Sequence, residues 1–213
     1  MNKDIEIIER KRVYDGFFQV SQLTLRHALF AGGQSETLVR ERFERGHAVG
    51  VLLFDPWEDQ VVLVEQFRIG ALDSGFDPWL LETVAGIIEP GEQPEAVARR
   101  ESKEEADCHL GALIPITRYL VSPGGTSQTV DLYCAMIDSR DLRIEGHGQV
   151  DEGEDIRLQI LPTDAALSLL DNGGIVAAMP IIALQWLALN RADLRARWQD
   201  APRAPYNGPG SAP

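Results

Sequence analysis

AGIIEPGEQPEAVARRESKEEADC, residues 85–108, is the stretch on which the reading of this chain turns. Gly86 is followed after five residues by Glu92, and after seven more by Arg100-Glu101-Ser102-Lys103-Glu104-Glu105. Pro94 suits the first turn of a helix, where its missing N–H costs little, and Glu92 and Glu95 suit the positive N-terminal end. From there to Ala106 nothing breaks a helix. At about 100° per residue, Ala98, Ser102 and Ala106 form a stripe of small side chains that lets the helix lie close against a sheet; Val97, Glu101 and Glu105 form the stripe beside it. A solvated charge run points its carboxylates away from the packed face. Here two of them border it, with Glu104 one step further round. Like charges about 4 Å apart repel by roughly 4 kcal/mol at an effective dielectric of about 20. Such a cluster therefore takes up protons or a multivalent cation, and several carboxylate oxygens on rigid backbone suit Mg²⁺, with Mn²⁺ as the alternative. A surface helix rich in Glu, Lys and Arg is the competing reading.

Outward from this stretch the chain reads mostly as strands. On its N-terminal side AVGVLLFD and QVVLVEQFRI are apolar runs joined by the turn Pro56–Asp59, Gly70–Pro78 is a loop, and Trp79–Ile88 contains a strand that leads into Gly86. Arg68 closes the second run and is either a surface charge or a residue pointing into a site. Residues 1–47 read as strands of their own, with a turn at Gly32-Gly33 and a further strand over Glu36–Phe43. This segment is too thin to bury a core, so its edges call for a cover, and a second copy of the chain fits. Phe17 and Phe18 read as one core residue and one surface aromatic; Arg40, Arg42 and Arg45 read as exposed strand charges.

On the C-terminal side ALIPITRYL and QTVDLYCAMI read as strands joined by Ser122-Pro123-Gly124-Gly125-Thr126-Ser127. That loop is either an ordinary turn or a set of backbone N–H groups able to cradle a ligand; no Gly-Lys-Ser/Thr follows, so it is no Walker loop. His147–Asp155 is an acidic loop whose carboxylates are either solvated or able to reach a metal-bound water. Ile156–Leu161 is a last strand. Thr163 or Asp164 can cap a short helix, and Ile175–Asn190 forms a long apolar one, regular from Pro180 and expected on the sheet face opposite the acidic helix. Residues 199–213 are expected to form a flexible tail.

Composition sets mild limits. The net charge of −13 is uneven: residues 1–50 hold eight Lys/Arg against seven Asp/Glu, leaving twelve against twenty-six for the rest. An acidic body of this kind argues against a nucleic-acid partner. Two cysteines, Cys108 and Cys134, are too few for a disulfide scaffold, which predicts a reduced, cytoplasmic protein. No signal peptide or membrane-length apolar run is visible.

The spacing over residues 86–105 resembles the Nudix box, a Gly, a Glu six positions on, and an Arg-Glu-x-x-Glu-Glu run eight positions after that. Gly86, Glu92, Arg100, Glu101, Glu104 and Glu105 match; Ser102 stands where the box has an aliphatic residue and Asp107 where it has Gly. The resemblance implies an α/β fold, the Nudix α/β/α sandwich with a mixed sheet over 48–198, preceded by a small antiparallel N-terminal β-segment, 1–47. Features outside the box, among them FERGHAV, EQFRIGA, WLLETVAG and SPGGTS, are similar to the ADP-ribose pyrophosphatase group. That group implies Mg²⁺-dependent hydrolysis of ADP-ribose to AMP and ribose 5-phosphate, in a homodimer that exchanges its N-terminal strands. Position by position, the resemblance puts the metal on the Ala85 carbonyl, Glu101, Glu105 and, through water, Glu104, with Glu154 also reaching it. Arg100 steadies a neighbouring carboxylate and Glu152 is the base. Arg40, Arg68, Ser122, Gly124, Ile87 and the partner chain's Phe17 would hold the nucleoside diphosphate sugar. Gln128 stands where the group commonly has Glu. Another substrate such as GDP-mannose, a non-catalytic ADP-ribose-binding module, and a purely structural dimer partner are the alternatives.

Overall fold

A computed structural model describes residues 4–140, 142–149 and 153–203. The chain divides into two compact units, the first made of residues up to His47 with Tyr119–Val130, the second of Ala48–Arg118 and Asp131 onward. The loop between the two strands that follow the acidic helix thus belongs with the N-terminal strands, which the sequence boundary at 47/48 does not anticipate.

The first unit carries a three-stranded antiparallel sheet, β1 (Ile5–Asp15), β2 (Gln19–His27) and β3 (Leu38–Glu44), in that order. Every residue of β1 is exposed, and of this sheet only Ser21 and Leu23 of β2 are buried. Neither Phe17 nor Phe18 is a core residue: Phe17 is 95% exposed, and Phe18 lies edge-on to both Phe17 and Phe43. A three-stranded sheet whose outer strand is exposed throughout offers too little apolar area to close over them.

The second unit is built on a seven-stranded sheet. Its strands are β4 (His47–Asp55), β5 (Gln60–Phe67), β6 (Trp79–Glu82), β7 (Val84–Ile88), β8 (Leu113–Leu120), β9 (Thr129–Met136) and β10 (Arg157–Pro162). The order β10-β5-β4-β9-β8 runs across it, with β6 beside β5 and β7 beside β4. β4 is buried from Ala48 to Asp55, as expected of a central strand covered on both faces. Its residues alternate between two layers. Val49, Val51 and Leu53 join Val97, Ala98 and Ala106 of helix α1 (Pro94–Ala106) in one core cluster. On the other face, a side chain at Gly50 would strike Met179, and Phe54 packs on Trp198 with ring centroids 6.4 Å apart, both from helix α3 (Ala178–Trp198). The two long helices therefore lie on opposite faces, the expected α/β/α arrangement.

Three details differ from the sequence reading. α3 begins before Pro180, because that proline falls in the first turn where no N–H is needed, and it continues to Trp198. Neither Thr163 nor Asp164 caps helix α2 (Thr163–Asp171); the Thr163 hydroxyl donates to the Asp59 carbonyl at 2.9 Å, tying α2 to the β4–β5 turn. The segment after α3 is anchored: the Trp57 ring N–H donates to the Gln199 carbonyl (3.1 Å), and the Arg203 guanidinium bonds Asp138 and Glu58 and lies over the Trp57 ring. Residues 204–213 of the expected tail lie outside the described residues.

Candidate active site

α1 has the boundaries its sequence predicts. Pro94 opens it, Glu95 stands in the first turn, and Asp107 ends it in the left-handed conformation at φ 47°. The Asp107 and Cys108 N–H groups close the end onto the Lys103 and Ser102 carbonyls at 3.1 and 3.0 Å. Glu92 falls just outside the helix. Its carboxylate accepts from the Glu89 N–H at 2.9 Å and lies 3.6 Å from Arg100, so it shapes the turn in which Gly91 adopts a positive φ of 93°.

Gly86 lies in β7, against which α1 packs. A Cβ there would collide with the Glu101 carboxylate, so only glycine lets that side chain run along the strand. Glu105, 3% exposed, accepts from the Ala85 N–H at 3.1 Å. Arg100 is the local counter-charge, 2.8 Å from Glu101 and 3.0 Å from Glu104.

These contacts do not balance the cluster. Burial pushes the Glu101 carboxyl up to about 7; Arg100 pulls against this and Glu104 and Glu154 add to it. Burial pushes Glu105 further, to about 8; the Ala85 N–H and Arg68 lower it, while Glu101 and Glu154 raise it. The fold thus brings Glu101, Glu104, Glu105, Glu154, Arg100 and Arg68 into one electrostatic neighbourhood. Among the described residues no three His, Cys, Asp or Glu side chains are gathered ready to hold a metal ion. The carboxylates are turned to Arg100 and to a backbone N–H instead. The donor set nevertheless fits a divalent cation. Its members are hard oxygens, two are buried enough to resist ionisation, and a dication relieves both the desolvation and the mutual repulsion.

The described residues of the acidic loop are held by backbone pairing. His147 and Ile156 exchange N–H···O bonds (3.4 and 3.1 Å), the Gly148 N–H donates to the Glu104 carbonyl (3.4 Å), and Glu154 accepts from the Gln149 N–H (3.1 Å). Gly148 has φ 89° and lies so near the Glu154 side chain that a Cβ would clash. Glu152, the expected base, lies outside the described residues.

Arg68 follows β5 directly. Its Nε lies 2.6 Å from Glu82 of β6, a partner that motif spacing does not reveal. Ile87 is 40% exposed on β7. The other expected substrate residues lie in the first unit. Arg40 is exposed, with Nη1 donating to the Val39 carbonyl (2.9 Å). Ser122 and Gly124 are exposed in their loop, but the Gly125 and Thr126 N–H groups are both spent on the Ser122 carbonyl (3.1 and 3.0 Å), so two N–H groups of the suggested cradle are not free. The same loop bonds to Phe43 of β3 through the Gly125 carbonyl and the Ser127 N–H. Gln128 is buried at 7% exposure.

A model of the NUDIX domain matches residues 44–204. The chain is 45% identical over 196 residues to the ADP-ribose pyrophosphatase of Escherichia coli strain K12, covering 92% of this chain and 93% of that one. It is 41% identical over 200 residues to the ADP-ribose pyrophosphatase of Haemophilus influenzae, covering 92% of each. Identity falls to 31% over 188 residues with the GDP-mannose pyrophosphatase of Klebsiella pneumoniae, covering 88% of this chain and 93% of that one. Among solved structures, an ADP compounds hydrolase superposes with a TM-score of 0.68 at 22% identity, over 90% of this chain and 96% of that one, a likeness of fold.

Proposed function

The chain belongs to the NUDIX family, and from that premise we propose that it hydrolyses ADP-ribose to AMP and ribose 5-phosphate with Mg²⁺ as cofactor. The observation that carries this reading is the under-compensated pair Glu101 and Glu105, held on a rigid helix against Gly86 and left with raised proton affinity. Glu101, Glu105 and the Ala85 carbonyl would hold the ion, with Glu104 and Glu154 alongside. When bound, a divalent cation supplies charge neutralisation of the diphosphate and a bound water of lowered pKa. The protein's own residues do the rest. Arg100 keeps Glu101 and Glu104 oriented from one side, and Arg68 offers guanidinium N–H groups to a diphosphate oxygen. Glu152 is assigned as the base that takes the proton of the attacking water as the new P–O bond forms and the bridging P–O bond breaks, a contribution of about 10²–10⁴-fold.

The relatives support the substrate: the two ADP-ribose pyrophosphatases are more similar to this chain than the GDP-mannose pyrophosphatase is. Gln128 is the residue that favours a broader range, because a neutral amide in place of a carboxylate weakens a contact to sugar hydroxyls. Arg40, Ser122, Gly124, Ile87 and Phe17 complete the assigned substrate contacts. We assign a homodimer as the working form, with Phe17 serving the partner's site. The exposure of Ile5, Ile7, Ile8 and Tyr14 on β1 supports it. Both cysteines are free and buried, in keeping with a cytoplasmic location, and no helix among the described residues is long and apolar enough to cross a membrane.

The test is AMP release from ADP-ribose with and without Mg²⁺, beside GDP-mannose and other nucleoside diphosphate sugars, read as kcat/KM. The expected result is a preference of at least tenfold for ADP-ribose and none of the activity in EDTA. Tight ADP-ribose binding without AMP release in Mg²⁺ overturns the enzymatic reading.

A further inference from the structure

Glu82 lies in the WLLETVAG stretch but has been given no role, and it is the only direct protein partner that Arg68 has among the described residues besides backbone. The two come together through strand pairing. Glu82 sits opposite Val64 across β5 and β6, so it shares the face of Val64, which lies in the same core cluster as Val97 and Ala98 of α1. Gln66 and Arg68 continue that face two and four residues on. Glu82 is thereby carried on the α1 side of the sheet, its side chain 18% exposed, and it takes the Arg68 Nε at 2.6 Å.

The way the two meet matters. A guanidinium has five N–H donors, and Glu82 takes the one on Nε. Among the described residues neither Nη nitrogen has a protein partner, so both remain available as a fork for an anion. Arg68 also has a competing attraction: its charge is felt by the buried Glu105 carboxyl. Without Glu82, the buried Glu105 carboxyl of α1 is an anion that already feels this guanidinium. A guanidinium that swung onto Glu105 would leave the position where it can meet a phosphate and would occupy a carboxylate needed for the cation. Gln66, 5% exposed on the same face with its Nε2 unpartnered, offers Arg68 no anionic alternative.

We propose that Glu82 is a positioning residue for diphosphate recognition: it anchors Arg68 by Nε, keeping the guanidinium off Glu105 with its two Nη groups turned to the substrate. This rests on the proposed action on a nucleoside diphosphate, and two measurements keep the two claims apart. The first is steady-state kinetics on ADP-ribose for Glu82→Ala, Glu82→Gln, Arg68→Ala and the double variant Glu82→Ala/Arg68→Ala. Glu82→Ala is expected to raise KM about tenfold, the scale of a lost charge-assisted hydrogen bond, with kcat changed less than threefold. Glu82→Gln, which keeps an acceptor, falls between Glu82→Ala and wild type, and the double variant is no worse than Arg68→Ala. The second is equilibrium binding of ADP, which carries the diphosphate without the terminal ribose, in Ca²⁺. Here the same ordering of Kd is expected. If wild type leaves ADP-ribose intact while ADP binding shows that ordering, the substrate reading fails and the positioning role stands. The proposal is overturned if Glu82→Ala leaves Kd and KM within twofold of wild type, or if the losses of the two single variants multiply in the double.

Discussion

Around the β4–β5 turn, Asp55, Asp59 and Asp138 face arginines delivered by α3 and the segment after it. Along α1, Glu101 and Glu104 share Arg100, while Glu105 has only the Ala85 N–H and the more distant charge of Arg68. Both patches are acidic and partly buried in the same unit, yet Asp59 and Asp138 of the first are shifted down while Glu101 and Glu105 of the second are shifted up. Burial raises Asp59, but bonds from Arg191 at 2.8 and 2.5 Å and the charge of Arg195 lower it below the usual range. Asp138 is likewise raised by burial and then drawn down to about 2 by Arg140 and Arg203. Asp55, fully buried, accepts from the Trp57 and Glu58 N–H groups and from both the N–H and hydroxyl of Ser139. Against these, Glu101 and Glu105 rise to about 7 and 8. The supply of cationic and N–H partners, and not the density of acids, separates a patch that holds the fold from one with spare affinity for a cation.

Removing the excess charge is the strongest way to break that contrast. Glu105→Gln is expected to lower kcat at least about 10³-fold, the scale for loss of a main electrostatic group, while the fold persists. Because the folded-state pKa of Glu105 lies above its unfolded value of about 4.5, its stabilising contribution is complete below that value and is lost as pH rises through about 8. Metal-free wild type should therefore lose melting temperature between pH 5 and about 8, Glu105→Gln should lose less, and added Mg²⁺ should restore the wild type. A flat profile for wild type in EDTA would sink the assignment.

Removing a counter-charge from the matched patch should act on stability alone. Arg203→Ala deprives Asp138 and Glu58 of their bonds and leaves the buried Asp55 without the guanidinium 3.7 Å away. The expected cost is about 1–3 kcal/mol in chemical denaturation with kcat/KM unchanged. The acid limb sharpens the point: Asp138 is depressed, so its contribution is present above its ordinary value near 3.8 and is lost as pH falls through about 2. Arg203→Ala should accordingly approach wild-type stability toward pH 2. The smallest effect is expected at the helix end. Asp107→Gly relieves a side chain at φ 47° but gives up the pairing with Lys103, for a net gain of about 0.5 kcal/mol and no change in kcat.

How legible these two patches are in the sequence differs for a physical reason. Glu101, Glu104 and Glu105 lie on one helix, so a 100° step suffices to place Glu101 and Glu105 beside the small-residue stripe, and the left-handed Asp107 follows from its side chain. Gly86 is readable as a required glycine only once its strand is set against that helix. The matched patch has no local signature: Arg203 is 65 residues from Asp138, and Arg191 is 132 from Asp59. The same holds for Glu82, which looks like any strand carboxylate until β6 pairs with β5.

The sequence by itself determined the acidic helix, its boundaries, its crowded edge and the family to which it belongs, because each depends on residues a few positions apart. Only the tertiary structure decided which charges are answered and which are left over: that Arg68 is tethered by Glu82, that Arg203 ties the segment after α3 to the β4–β5 turn, and that the loop around Ser122 joins the N-terminal strands. Those pairings depend on strand register and sheet order, where a shift of one residue turns a side chain to the opposite face.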